Sequence, residues 1–200
     1  MTDTANGSTE TAPMVFLGDS ITEQGDWEAR FPGDHVVNLG IGGDTTDGVL
    51  ARLDEVVRLA PEAIVLLIGT NDFGNEKKSV EHVVRTAETI LVDLRRDLPG
   101  VRLLLVSILP RQAVFSARIE EANRHLRQFV ATCHAQFLDL WPALAEDGHL
   151  ADRFTEDGLH LTEAGYDAYV AELVPALERL REQPPMSRPI NIIDLGELAN

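Results

Sequence analysis

The sequence contains one cysteine, Cys133, so no disulfide can form within the chain. Disulfides are frequent in small secreted domains and rare in cytoplasmic proteins. The polar N-terminal residues 1–12 also lack the basic and apolar regions of a signal peptide, and we expect them to be disordered. We therefore favour a cytoplasmic location, with secretion as the alternative for a chain whose signal peptide has been removed.

Basic residues and long apolar segments are also scarce. The 17 Lys and Arg residues stand against 33 Asp and Glu, which gives a net charge of −16. This charge repels nucleic acids and anionic membrane surfaces, and no apolar run approaches the roughly 20 residues that span a membrane. We expect neither nucleic acid nor a membrane as a partner. A hydrophobic fraction of 44% over 200 residues is typical of a globular chain with a sizeable core, and we predict one domain over residues 13–183.

Short apolar segments alternate with amphipathic helical segments along the chain. Such alternation predicts an α/β fold with a five-stranded parallel sheet and helices on both of its faces. The segment from Trp141 to Thr162 is predicted to be irregular. The predicted strands are Met14–Gly18, Val36–Leu39, Ala63–Ile68, Arg102–Ile108 and Gln136–Leu140, and the predicted helices cover 46–59, 79–98, 117–135 and 162–182.

Polar residues follow the carboxyl ends of the predicted strands. Ser20 comes after the first strand, Gly43 after the second and Asn71 after the third, while Asp157 and His160 lie in the last long loop. Because the carboxyl ends of parallel strands meet at one edge of a sheet, we expect these residues to converge there.

Ester cleavage requires a nucleophile, a base, a group that orients the base, and donors for the oxyanion. Ser20 can act as the nucleophile, His160 as the base and Asp157 as the orienting group. The backbone N–H groups of Ser20 and Gly43 and the side-chain amide of Asn71 can supply the donors. These residue types predict a serine esterase.

Four sequence blocks resemble the motifs of the SGNH hydrolases, the GDSL-type esterase and lipase superfamily. The run from Val37 to Thr46 is most similar to the branch that contains the catalytic subunits of intracellular platelet-activating-factor acetylhydrolase and related bacterial esterases. The resemblance implies a flavodoxin-like three-layer α/β/α sandwich, the catalytic roles given above and no cofactor. Ile21 stands where the family name has leucine. The blocks are Gly18-Asp19-Ser20-Ile21, Gly40-Ile41-Gly42-Gly43-Asp44, Gly69-Thr70-Asn71-Asp72 and Asp157-Gly158-Leu159-His160.

The residues beside the catalytic groups are expected to line the substrate site; they are Asp19, Ile21, Thr70 and Leu159. Because isoleucine and leucine side chains fill space near the reacting carbonyl, we expect a small molecule with a short, acetyl-like acyl group as the substrate.

Several residues near these blocks allow two interpretations. Asp72 could act as a base, although a loop-shaping role fits its place next to Asn71 better. Arg111 could contact the substrate or cap a loop. A dinucleotide site at Gly40–Gly43 is disfavoured because Thr45 replaces the third glycine of that motif. The other histidines lack the spacing of metal ligands, so no metal is expected.

Two further functions remain open at this level. An acyltransferase would use the same triad with an alcohol in place of water, and a non-catalytic module would use the cleft to bind acylated ligands. The tail 184–200 carries an apolar patch that we expect to dock on its own domain or on a second subunit, so a homodimer is a further expectation.

Overall fold

The computed structural model describes residues 12–182 and is built around a parallel sheet of five strands. The strand order is β2-β1-β3-β4-β5, which confirms the predicted α/β architecture. These strands are β1 (Met14–Gly18), β2 (Val36–Gly40), β3 (Ala63–Leu67), β4 (Arg102–Val106) and β5 (Ala135–Leu138), and β6 (Ala145–Glu146) pairs with β7 (His149–Leu150) in a separate antiparallel hairpin.

The central strands β1 and β3 are buried along their whole length. Continuous apolar runs are typical of parallel strands that are covered on both faces. The register pairs Gly18 with Gly40 on one side and with Leu67 on the other. The strands β1, β2 and β3 therefore end at the same level, and the loops that follow them start side by side.

Helices cover both faces of the sheet, and alternate strand residues enter two separate cores. Val15 and Leu17 pack with α3 to α7 on one face, whereas Met14 and Phe16 pack with α1, α2, α8 and α9 on the other. The helices are α1 (Ser20–Glu23), α2 (Trp27–Arg30), α3 (Thr46–Ala51), α4 (Leu53–Arg58), α5 (Thr70–Gly74), α6 (Val80–Asp97), α7 (Ser116–Phe129), α8 (Trp141–Leu144) and α9 (Glu163–Glu182).

Besides the short helix α5 and shifts of one or two residues at the ends of elements, the structure differs from the predicted elements in three segments. The predicted helix 46–59 is divided into α3 and α4 at Arg52, which has φ −117° and ψ 17°. The predicted helix 117–135 ends earlier, because a 3₁₀ turn and the left-handed residue His134 (φ 50°) precede β5. The segment 141–162 is not irregular throughout, since it contains α8, the β6–β7 hairpin and a 3₁₀ turn at Asp152–Phe154.

Some predictions concern residues that the structure does not describe. Residues 1–11 of the predicted N-terminal tail and the whole tail 184–200, with its expected docking contact, lie outside the described range. Between residues 12 and 182, no helix is long and apolar enough to cross a membrane. The same part of the chain holds no group of three or more potential metal ligands.

Candidate active site

Ser20 is the first residue of α1, and only Asp19 separates it from the carboxyl end of β1. The Asp19 carboxylate caps this short helix, because its Oδ1 accepts a hydrogen bond from the Ile21 N–H at 3.0 Å. Gly18 makes the tight turn possible: a Cβ there would lie 2.2 Å from the Leu67 carbonyl oxygen and 2.3 Å from Thr22 Oγ1. The backbone thus holds Ser20 at the edge of the sheet.

Ser20, His160 and Asp157 form a continuous chain of hydrogen bonds. Ser20 Oγ lies 3.0 Å from His160 Nε2, although 140 residues separate the two in sequence. On the other side of the imidazole, His160 Nδ1 lies 2.6 Å from Asp157 Oδ2. A hydroxyl within reach of a base, which is in turn held by a carboxylate, is the arrangement that nucleophilic catalysis requires.

The Asp157 carboxylate is fixed by its own loop. Its Oδ1 accepts hydrogen bonds from the backbone N–H groups of Leu159 at 2.9 Å and His160 at 2.8 Å. Partial burial opposes ionisation, but the hydrogen bonds from the His160 side chain and from these two N–H groups outweigh it and hold the pKa of Asp157 well below its ordinary value. Asp157 therefore remains a charged acceptor for His160 at any ordinary working pH.

Two of the predicted oxyanion donors, the backbone N–H of Gly43 and the side-chain amide of Asn71, come from neighbouring segments at this edge of the sheet. Gly43 lies in the turn after β2 with φ +78°, a left-handed conformation that favours glycine. Asn71 is buried in α5, and its Nδ2 donates to the Asp44 carbonyl oxygen at 2.9 Å. This bond uses one of the two amide hydrogens and joins the Asn71 loop to the residue that follows Gly43. The role of these groups as oxyanion donors stays a prediction.

Asp72 is fully buried and holds the start of α3. Its carboxylate accepts hydrogen bonds from the Thr46 N–H at 3.0 Å and from Thr46 Oγ1 at 2.6 Å. Burial raises its pKa above the ordinary value, although the bonds from Thr46 oppose this. These contacts fit the loop-shaping interpretation of Asp72.

Arg111 and Gln112 connect the loop that carries Asn71 with the loop that carries His160. Arg111 Nη1 donates to the carbonyl oxygen of Thr70 at 3.0 Å, and Arg111 Nε donates to Gln112 Oε1 at 2.9 Å. Gln112 Nε2 in turn donates to the Asp157 carbonyl oxygen at 2.9 Å. Arg111 thus holds the start of α5 and, through Gln112, the loop of Asp157, while a contact between Arg111 and the substrate stays a prediction.

The four residues predicted to line the substrate site differ in exposure. Leu159 is half-buried, whereas Thr70, Asp19 and Ile21 are buried. Burial raises the pKa of Asp19 to about 7, even though the bond from the Ile21 N–H lowers it. Their contact with substrate stays a prediction.

Arg52 and Tyr166 support the site but were missed in the sequence. Arg52 Nη2 donates to the carbonyl oxygens of Gly18 at 3.2 Å and Leu39 at 2.9 Å, and its Nε donates to Asp44 Oδ2 at 2.9 Å. Tyr166 Oη, from α9, donates to the Ile21 carbonyl oxygen at 2.7 Å. Because their partners are mostly backbone carbonyls, which any residue supplies, no sequence motif marks either contact.

Comparison with known proteins identifies the family of this chain. The profile of the GDSL-like Lipase/Acylhydrolase family matches residues 16–168. The chain belongs to this family. It is therefore a hydrolase that acts on esters.

This GDSL-like acylhydrolase is also similar to individual characterised proteins. It is 30% identical over 191 residues to platelet-activating factor acetylhydrolase IB subunit alpha1 of Bos taurus, a match that covers 90% of this chain and 81% of the relative. The alpha2 subunit of Rattus norvegicus is 28% identical, with 90% and 82% covered. A solved structure from Streptococcus pneumoniae, named for platelet activating factor, has a TM-score of 0.75 and 31% identity and covers 86% of each chain.

Proposed function

We propose that this protein is a serine esterase that hydrolyses short-chain acyl esters through Ser20, His160, Asp157 and an acyl-enzyme. The contact of 3.0 Å between Ser20 Oγ and His160 Nε2 carries the proposal, because it pairs a hydroxyl at this strand end with a base. The relatives named acetylhydrolases support a short acyl group.

The reaction proceeds in two halves. His160 Nε2 takes the proton of Ser20 Oγ, and the oxygen attacks the carbonyl carbon of the ester. The N–H groups of Ser20 and Gly43 and the amide of Asn71 donate to the oxyanion. His160 then gives its proton to the leaving alkoxide, which departs as the alcohol and leaves the acyl group on Ser20.

Water completes the cycle. His160 takes one proton from the water molecule, the resulting hydroxide attacks the acyl carbon, and the bond to Ser20 Oγ breaks as His160 returns the proton to it. Asp157 accepts a hydrogen bond from the Nδ1–H of His160 throughout and stabilises the imidazolium that forms in each half. Since a bound acyl chain needs a groove to receive it, the buried Ile21 next to the nucleophile favours a short acyl group.

A series of nitrophenyl esters tests the proposal. We expect kcat/KM to be highest from acetyl to butyryl and to fall steeply beyond roughly six carbons, where a longer chain gains no burial at about 0.8 kcal/mol per CH₂. Ser20→Ala should abolish hydrolysis and also the single covalent adduct that a fluorophosphonate forms. Ser79→Ala, at the start of α6, is the matched control and should keep both.

Three outcomes would contradict the proposal. A fluorophosphonate adduct on a residue other than Ser20 would refute the assigned nucleophile. A maximum at octanoyl or longer would refute the short acyl pocket. Ester binding without turnover would support a non-catalytic module, and faster product formation with an added alcohol acceptor would support acyl transfer.

A further inference from the structure

A cavity of about 390 Å³ lies at the carboxyl edge of the sheet, beside the loop that carries Asp157 and His160. Its wall includes Arg111 and Gln112 after β4, His149 from β7, and Asp152, Glu156 and Gly158 from the segment that leads to His160. The mechanism uses none of these six residues for a chemical step. We propose that this cavity binds the alcohol part of the ester, and that this alcohol is a neutral polyol such as a sugar.

The direction of proton transfer places the alcohol part of the ester beside the loop that holds His160. The inference rests on the proposed esterase function, in which His160 protonates the leaving oxygen. That oxygen must come within hydrogen-bond reach of His160 Nε2, about 3 Å. The alcohol that carries it therefore extends along the loop that holds His160. Glu156 and Gly158 belong to this loop and border the cavity.

Arg111 gives the cavity a buried donor. Its side chain is more than nine-tenths buried and its guanidinium lies 4.2 Å from the ring centre of Phe115, which fixes its plane. Nε and Nη1 are used by Gln112 and Thr70. Within residues 12–182, Nη2 has no acceptor, so its two N–H groups remain available to a ligand oxygen.

The charges around the cavity favour a neutral ligand with hydroxyl groups. A phosphate or carboxylate would approach Arg111 but would also meet the carboxylates of Asp152 and Glu156. An alkyl chain would displace water from the charged and amide groups of the wall, in which Leu150 is the apolar lining residue. A hydroxyl group both donates and accepts, so it can accept from Arg111 and donate to a carboxylate at the same time.

Three acetate esters with different alcohols test the proposal: a monoacetylated glucose, hexyl acetate and nitrophenyl acetate. The wild-type protein should have a higher kcat/KM for the glucose ester than for hexyl acetate. Asp152→Ala and Glu156→Ala, both at exposed positions, should lower kcat/KM for the glucose ester roughly three- to tenfold, the equivalent of one lost hydrogen bond. The loss should be larger for the glucose ester than for the other two esters, whose alcohol parts offer no hydroxyl group to these carboxylates. Asp54→Ala on α4 removes the same charge far from the cavity and should change none of them.

The outcomes separate this inference from the proposed function. A wild-type preference for hexyl acetate would overturn the polyol site, and so would equal effects of the variants on all three esters or no effect on the glucose ester. In each case, Ser20-dependent hydrolysis of nitrophenyl acetate would leave the esterase function standing. If the protein hydrolyses none of the three esters, both the function and the inference fall.

Discussion

Replacing Asp157 by asparagine should move the ring proton of His160 from Nδ1 to Nε2. Oδ1 of residue 157 accepts from the backbone N–H groups of Leu159 and His160, so an asparagine keeps its oxygen at that position. Its NH₂ group then takes the place of Oδ2, which lies 2.6 Å from His160 Nδ1. Because NH₂ can only donate, Nδ1 must become an acceptor, and the ring proton moves to Nε2.

An imidazole with its proton on Nε2 cannot accept the proton of Ser20 Oγ, 3.0 Å away. The same tautomer change lowers kcat by about 10⁴ in Ser-His-Asp enzymes, which corresponds to roughly 5 kcal/mol of transition-state stabilisation. We expect a loss of this order in kcat for nitrophenyl acetate at neutral pH. KM should change little, because the backbone contacts that hold the loop are kept.

Asp157→Ala is the informative comparison. It removes the acceptor of both backbone N–H groups, so its melting temperature should be lower than that of Asp157→Asn. It does not force a tautomer on His160, however, so its kcat should be at least as high as that of the asparagine variant. An Asp157→Asn variant that keeps more than roughly a tenth of the wild-type kcat would refute this reasoning about His160.

Three other variants test the surroundings of the site. Asn71→Ala should lower kcat by roughly 10²–10³ with KM nearly unchanged, since an oxyanion donor acts in the transition state; a change confined to KM would assign Asn71 to ground-state binding. Tyr166→Phe leaves the Ile21 carbonyl oxygen without its donor and should reduce the free energy of unfolding in urea by about 1–3 kcal/mol. It should also slow fluorophosphonate labelling of Ser20, and Tyr169→Phe, on the same helix, should leave the labelling rate unchanged. Because burial raises the pKa of Asp19 from its ordinary value near 3.8 to about 7, the folded state binds this proton more tightly than the unfolded state and loses stability as the pH rises between those values. Asp19→Asn removes this titration, so the melting temperature of the variant minus that of the wild type should increase between pH 4 and pH 7, which lie within this range of about 3.8 to 7. A difference in melting temperature that stays constant over this pH range would contradict the raised pKa of Asp19.

The main features of the sheet could be predicted because its strands carry strong local signals. Met14–Gly18 and Ala63–Leu67 are continuous apolar runs that end in glycine-containing turns, and both are buried strands in the structure. The hydrogen-bonded group Ser20, Asp157 and His160 could be predicted for a related reason, since parallel strands bring their carboxyl ends to one edge.

The break in the helix at Arg52 could not be predicted, because nothing local interrupts the helical pattern there. It coincides with bonds from the Arg52 side chain to the carbonyl oxygens of Gly18 and Leu39, which are distant in sequence. The sequence predicts an irregular segment at 141–162 for a similar reason. Its short elements are held by long-range backbone bonds such as Leu150 N–H to the Arg111 carbonyl oxygen, and elements of two to four residues have no periodicity to detect.

The large sequence distance between Ser20 and His160 has a consequence for biosynthesis. A ribosome that adds 5–20 residues per second makes the 140 residues between them in roughly 7 to 28 seconds. During that time the nascent chain has the proposed nucleophile but not the proposed base, so under this mechanism it cannot cleave an ester. The sheet residues Phe16, Val65 and Leu104 also lack their packing partner until α9 is made, because they share one core with it in the folded protein. Residues 160–182 thus complete both the contact between Ser20 and His160 and one of the two cores, and chaperones that bind exposed apolar strands would act before these residues emerge.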